Sequence, residues 1–520
     1  MNMMNTIYRI LVCCVFLITS HVMQAQKQIP TDIRATAYAP YQPVLRGLSE
    51  NAFIRIAVSI PATAKPIKPE SVLCVLSSGR DEVKQVDVFL TGAEPFSASK
   101  KIGTIMDPAA SFAVPVDAIL TSGQHFIWIS VRLKDDAIPG KVIELHVNSL
   151  KTNSTGPLPV KELASAFRKF TGIALCKAGE QGVNTFRIPG IMQTDKGTLV
   201  AVYDNRYVNS KDLPGNIDVG MSRSTDHGKS WQPMKVIMDM GEPQDQNGIG
   251  DPSILFDPAT HTLWVAALWS KGNHSIAGSG PGLSPDETGQ FMLVSSTDDG
   301  LTWSAPYSIT SSIKDPVWKI LFQGPGSGIS MKDGTLVFPA QYWDAKGIPW
   351  STIICSKDHG KTWMPAPTGP KSNTTESQVA EISPGVLMLN MRDNRGGYRS
   401  VATTSDQGRT WTEHATSYTA LPDPVCMGSL IQANVLINGQ KKDVLFFSNP
   451  ATSSGRYNIS IKASLDAGNS WKQQNSFLLD ERSVYGYSSL VKVDDRTIAI
   501  LYEGTKDLYF VLIPVSEIIK

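Results

Sequence analysis

The sequence predicts an all-β protein: a six-bladed β-propeller preceded by a small β-sandwich. Three observations predict it. An eight-residue turn occurs five times, its copies are spaced by the length of a four-stranded sheet, and the chain ahead of them alternates with period two.

The turn first reads Ser224-Thr225-Asp226-His227-Gly228-Lys229-Ser230-Trp231 and returns at 296–303, 356–363, 404–411 and 464–471. Its chemistry is local. Asp and Ser/Thr side chains satisfy turn amides, Gly takes a positive φ, and Trp buries its ring against the flanking strands. The aspartates Asp226, Asp298, Asp358, Asp406 and Asp466 lie 72, 60, 48 and 60 residues apart, each interval fitting four strands with loops. Residues 172–520 hold roughly six such units. Five carry the turn, and the sixth is expected to be closed by 497–502 and 508–514 pairing with 173–176, which removes open sheet edges. A residue repeated in five equivalent places cannot serve one site, so these aspartates read as structural.

In chain order, residues 1–25 read as a secretory signal peptide, with Arg9 as its charged start, an apolar run over 10–18 and Met23-Gln24-Ala25 as cleavage site. That run is too short to span a bilayer comfortably. The mature chain is therefore expected to be exported, periplasmic or extracellular, without a membrane span. Over 26–150, Ile54, Ile56, Val58 and Ile60 alternate with Arg55, Ala57 and Ser59, and Ile143, Leu145 and Val147 do likewise. This is the pattern of a β-sandwich, either carbohydrate-binding or a spacer. Residues 151–171 read as a linker, rich in Thr, Ser, Gly and Pro, followed by a short helix in which Val160, Leu163, Phe167 and Phe170 recur at helical spacing. The propeller occupies 172–520.

Composition narrows the function classes. With 42% hydrophobic and 18% charged residues and a net charge of +1, the chain is globular. It has no basic run to track phosphates, so nucleic acid is not an expected partner. Beyond the leader, Cys74, Cys176, Cys355 and Cys426 are scattered with no CxxC pair. They read as buried free thiols, or at most one disulfide, and give no metal spacing. No GxGxxG follows a strand, and neither GxxxxGK[ST] nor HExxH occurs, so no cofactor is implied.

The site begins with Asn184-Thr185-Phe186-Arg187-Ile188-Pro189-Gly190, which puts an arginine where a strand should be buried. Arg392, in Leu389-Asn390-Met391-Arg392-Asp393, and Arg456, in Ser454-Gly455-Arg456-Tyr457-Asn458, lie in similar settings. Three guanidiniums facing one point would hold a carboxylate, since the planar fork donates paired hydrogen bonds and keeps its charge when desolvated.

The Phe186-Arg187-Ile188-Pro189 element followed by these turns resembles the bacterial sialidase family over residues 172–520. The resemblance implies a six-bladed propeller that hydrolyses terminal sialic acid from glycans with retention, with Arg187, Arg392 and Arg456 gripping the sugar's carboxylate. It implies a tyrosine nucleophile, because that carboxylate sits on the anomeric carbon and would repel an incoming Asp or Glu; the family is a known exception to the two-carboxylate scheme. In Tyr485-Gly486-Tyr487-Ser488-Ser489-Leu490 the match is Tyr487, with Tyr485 as competitor. The implied base is Glu376, preferred over Glu381. The implied acid/base is Asp212, with Asp218 and Asp204 as rivals whose roles read as structural or arginine-paired. Arg206 is expected to contact the sugar, Asp251 in Gly250-Asp251-Pro252-Ser253 to line its polar edge, and Glu503 to brace Arg187. The implied partners are sialylated glycans. A non-catalytic glycan-binding propeller, a trans-sialidase and an intramolecular lyase stand as the alternatives.

Overall fold

Residues 185–480 fold as five separate sheets of four or five strands, antiparallel but for the short parallel pairing of Ser253 and Ile254 with Gly326 and Ser327, and one two-stranded ribbon, Gly397–Tyr398 with Pro422–Asp423. The structure is a computed structural model that describes residues 32–95, 99–153, 156–272 and 274–520; the expected signal peptide lies outside the described residues. The first sheet runs Thr185–Gln193, Leu199–Arg206, Ile217–Ser224 and Lys235–Met238, each strand paired with the next. The other four are led by Ile249–Asp257, Ile320–Gln323, Thr374–Ser383 and Ser429–Ile437. Inner strands such as Leu199–Arg206 are buried along their whole length, and 199–203 reads as a continuous apolar run and not as alternation. Neighbouring sheets share cores; Val200, Val202 and Met221 of the first pack with Ile254, Val265 and Val294 of the second.

The recurring turn joins the third strand to the fourth in each of these five sheets. In every copy the Ser or Thr hydroxyl donates to the aspartate Oδ1 and accepts the Gly N–H, while the aspartate takes the N–H and hydroxyl of the residue four positions on. Two successive residues take positive φ, His227 and Gly228 in the first copy.

The expected count of six separate blades is corrected to five. The strands meant to complete a sixth do pair in the order Ser488–Asp494, Thr497–Glu503, Leu508–Pro514 and Arg168–Cys176, with Ile173 opposite Phe510. They form no sheet of their own, because Arg168–Cys176 serves two partners along its length. Its second half takes Leu508–Pro514, while Arg168, Lys169 and Phe170 pair with Glu144, Ile143 and Val142. The result is one 14-stranded sheet running into the N-terminal strands.

Those N-terminal strands include Ala52–Ile60, whose Ile54, Ile56, Val58 and Ile60 are buried while Arg55, Ala57 and Ser59 face outward. They share a core with Val72, Cys74 and Leu76 of Pro69–Ser78 and with Leu145 and Val147. The short helix expected after the linker is absent. Gly156–Glu162 and Arg168–Cys176 are strands, the first pairing with Val142–Thr152. Backbone pairing with distant strands decided the segment, Val160 lying opposite Ala35 and Phe170 opposite Val142. Cys74, Cys176, Cys355 and Cys426 are buried free thiols. No helix among the described residues is long and apolar enough to cross a membrane.

Candidate active site

Arg187 lies near the start of a first strand, as do Asp251 and Glu376. Arg206, Arg392 and Glu503 close or nearly close second strands, Asp212 and Arg456 sit in loops between second and third strands, and Tyr487 immediately precedes a first strand. In an antiparallel sheet all of these positions fall at one end, and the turns between third and fourth strands at the other. The recurring aspartates are thereby removed from the site.

Three of the strands are irregular where they carry a site residue. Pairing shifts between Arg187 and Gly190, between Gly250 and Ser253, and between Thr374 and Ser377. Such bulges re-aim a side chain that regular pleating would direct elsewhere. At the first, Ile188 has φ 57°, and a Cβ on Gly190 would meet the Gly326 carbonyl oxygen at 2.4 Å, so only glycine fits.

One buried carboxylate ties two of these elements together. Glu503 Oε1 accepts from Arg187 Nε at 3.0 Å and from the Ile188 N–H at 2.9 Å, while Oε2 accepts the Tyr487 N–H at 2.9 Å. The Tyr487 hydroxyl donates to Glu376 Oε1 at 2.5 Å, and Arg392 Nη1 donates to Glu376 Oε2 at 2.6 Å and to the Tyr487 hydroxyl at 2.9 Å. The Arg187 and Arg456 guanidiniums lie 5.3 and 5.7 Å from the centre of the Tyr487 ring. Arg456 is fixed by two carbonyls, Tyr485 and Val425, each at 3.0 Å. On the other side, Asp212 Oδ1 accepts from Arg206 Nη1 at 2.7 Å and from Arg187 Nη1 at 3.3 Å. Arg206 doubles onto Asp204 Oδ2, and Asp204 Oδ1 takes the Asp251 N–H at 2.8 Å. All nine residues singled out from the sequence thus belong to one contact network.

Known proteins share this chain's sequence and fold. The family model described as a BNR repeat-like domain matches residues 197–500. A sialidase of Bacteroides fragilis (strain YCH46) is 45% identical over 432 residues, 82% of this chain and 79% of that protein. The chain belongs to the bacterial sialidase family. A sialidase of Micromonospora viridifaciens is 32% identical over 343 residues, covering 64% of this chain and 52% of that one. The solved structure of Hadza microbial sialidase Hz136 superposes with a TM-score of 0.87 at 39% identity, over 93% of this chain and all of that one.

The electrostatics of this sialidase-family site follow from its pairings. Burial works against charge on Arg187 and Arg392, but Glu503 beside the first and Glu376 beside the second outweigh it and raise both guanidiniums above their ordinary range. Burial, then Glu376, push the Tyr487 phenol well above its usual value, against the pull of Arg392 and Arg187. Partial burial disfavours the Asp212 anion, yet Arg206 and Arg187 hold that carboxyl below the usual carboxylate range. Burial, then Asp204 and Asp212, drive Asp251 well upward.

The competing residues separate cleanly. Tyr485 lies under Arg187, its ring centre 4.6 Å from the guanidinium, and lends Arg456 its carbonyl. Glu381 accepts the Lys332 and Gly385 N–H groups, a turn-building role. Asp218 is buried in Ile217–Ser224, and burial, then Asp239, push it up to about 6. Arg206 is only 1% exposed, its donors taken by Asp204, the Ser210 carbonyl and Asp212. As the chain stands it reaches the site through Asp212 and the 209–215 loop. Asp204, the other rival, is paired with Arg206; standing two residues before it on one strand puts both on the same face. Gln323, which donates to the Asp251 carbonyl at 2.7 Å, had no sequence signal. Trp264 packs against Trp363 inside the sheets.

Proposed function

We propose that the chain is a retaining exo-sialidase, a glycoside hydrolase that is exported and releases terminal α-linked sialic acids from glycoproteins, glycolipids and oligosaccharides. The observation that carries this reading is the Tyr487 hydroxyl on Glu376 at 2.5 Å, set among Arg187, Arg392 and Arg456. The three guanidiniums take the sugar carboxylate, and burial keeps the Tyr487 phenol protonated, so an anionic sugar meets a neutral nucleophile. As the phenol oxygen attacks C2, its proton passes to Glu376 and the bond from C2 to the leaving oxygen breaks. Asp212 gives that oxygen its proton. In the second half, Asp212 takes a proton from water, the water oxygen displaces Tyr487 from C2, and Glu376 returns the proton to the phenol. Two inversions give retention. The residues 26–150 fit a sandwich module ahead of this catalytic part.

The test is a 3-fluorinated sialosyl fluoride, which slows the second half and traps the intermediate. Peptide mass spectrometry is expected to place the adduct on Tyr487, and the first product seen by NMR to keep the α configuration. An adduct on Tyr485, or an inverted first product, would overturn the assignment.

A further inference from the structure

Among the exposed tyrosines, Tyr398 and Tyr418 stand together on the chain that connects two of the site's arginines. Tyr398 follows Arg392 by six residues and lies on the short strand Gly397–Tyr398, which pairs with Pro422–Asp423. Gly396, just before it, comes close to Val425: a Cβ there would sit 3.4 Å from the valine Cγ2. Val425 in turn lends its carbonyl to Arg456. Tyr418 reaches the same loop, its hydroxyl donating to the Gly396 carbonyl at 2.7 Å. The two ring centres are 6.0 Å apart at 58°, an open corner at the rim, and the residues are 36% and 38% exposed.

Tyr418 is held there deliberately. Its φ is 57°, a left-handed conformation that a bulky side chain rarely adopts unless its surroundings impose it. They do so from three directions. Its N–H donates to the Arg399 carbonyl at 2.8 Å, its hydroxyl is anchored on Gly396, and Lys371 Nζ lies 5.2 Å from the ring centre. Lys371 is itself held by Ser400 Oγ at 2.9 Å. Such fixing leaves an aromatic face in water on the loop that also reaches, through Gly396 and Val425, to Arg456.

We infer that Tyr398 and Tyr418 form a leaving-group subsite that takes the neutral pyranose next to the released sugar. This rests on the exo-sialidase reading. A pyranose has an apolar face of C–H groups, which buries against an aromatic ring as a hydrocarbon does, while its hydroxyls stay in water. The tilted corner offers two such faces. Arg392 and Arg456 meanwhile hold the charged sugar, so the neutral one falls at the rim where the bond breaks.

The experiment compares two substrates on the full chain: sialyl-lactose, whose leaving group is a neutral disaccharide, and α-sialosyl fluoride, which leaves nothing on the rings. Tyr398→Ala and Tyr418→Ala are each expected to lower kcat/KM on sialyl-lactose by about three- to tenfold, the size of a lost aromatic contact. The fluoride should turn over as before. Tyr398→Phe keeps the ring and should keep the wild-type preference. Equal losses on both substrates, or no loss on sialyl-lactose, overturn the subsite. If Tyr418→Ala does not fold, Tyr398→Ala decides, since alanine preserves the backbone pairing of Gly397–Tyr398. A native protein that cleaves neither substrate overturns the sialidase reading itself, an outcome distinct from a native protein whose variants show no substrate dependence.

Discussion

Glu503 has no exposed surface, and the charge it carries is offset by three donors from two separate elements, Arg187 Nε and the N–H groups of Ile188 and Tyr487. Glu503→Gln presents an NH2 group to one of them and leaves Arg187 without its counter-charge. Breaking a buried pair this way costs roughly 3–5 kcal/mol, so the variant is expected to melt well below the native protein and to lose kcat/KM even while folded. An unchanged melting temperature with unchanged kcat/KM refutes the bracing role. Asp212 supplies a second prediction at this scale. Its carboxyl is held low in the free protein by Arg206 and Arg187, and as an acid it works only when protonated. On a sugar leaving group kcat/KM should therefore decline as pH rises past that low value. Once the substrate carboxylate occupies Arg187, the Asp212 carboxyl loses one of its two cations and titrates higher, so kcat should decline only at higher pH. Coincident alkaline limbs in the two profiles argue against the exchange. Arg187, Arg392, Arg456, Tyr487 and Glu503 were legible because each sits in a short local pattern. The hold of Arg206 on the Ser210 carbonyl was not, because it depends on where the 209–215 loop folds back.

The recurring turn is the element the sequence specifies most fully, since the hydrogen bonds common to all five copies fall within four residues of the aspartate. Thr302 and Thr362, by hydroxyl and N–H together, pull Asp298 and Asp358 down to about 2, and the Thr410 N–H and hydroxyl do the same for Asp406. A carboxyl lower in the folded chain than in the unfolded one stabilises the fold above the unfolded value, about 4, and loses that contribution as pH falls toward 2. Asp358→Asn is expected to be less stable than the native protein near neutral pH, and to lose less on acidification, so the two melting curves converge between pH 5 and 2. A gap that widens in acid contradicts the turn as its source. Activity of the folded variant should stay near native, because the turn lies at the far end of its sheet from Tyr487. The segment 160–170 shows the opposite case. Val160, Leu163, Phe167 and Phe170 fit helical spacing, yet Val160 is buried in a strand beside Ala35, and Phe170 in one opposite Val142. Apolar spacing over so short a stretch does not separate helix from strand, and the deciding partners lie far away in the chain.

At the scale of the whole molecule, one strand decides how the two parts depend on each other. Arg168–Cys176 closes the last set of propeller strands and also pairs with Val142–Glu144 and, in parallel, with Val44–Arg46. Leu45 is buried in the same core as Phe170, Phe446 and Tyr502. Tyr38 donates to Glu481, Arg168 pairs with Glu517 at 2.9 Å, and Arg46 reaches the Lys229 carbonyl, all across the same seam. A cavity of about 600 Å3 lies along it, lined by Tyr41, Arg168, Lys169, Phe170 and Phe477 among others. Burying Leu45 alone contributes about 2 kcal/mol, and a bare edge on Arg168–Cys176 would invite pairing with another chain. We therefore expect the full chain to unfold in one calorimetric transition and a protein starting at residue 163 to melt lower and to associate, although no residue of the Tyr487 site lies before that point. A fragment that stays monomeric at the native melting temperature, or two resolved transitions in the full chain, would mean that the shared strand joins the two parts without coupling them. Arg168–Cys176 pairs on both sides, and a strand cannot release one partner without exposing its ladder groups to solvent.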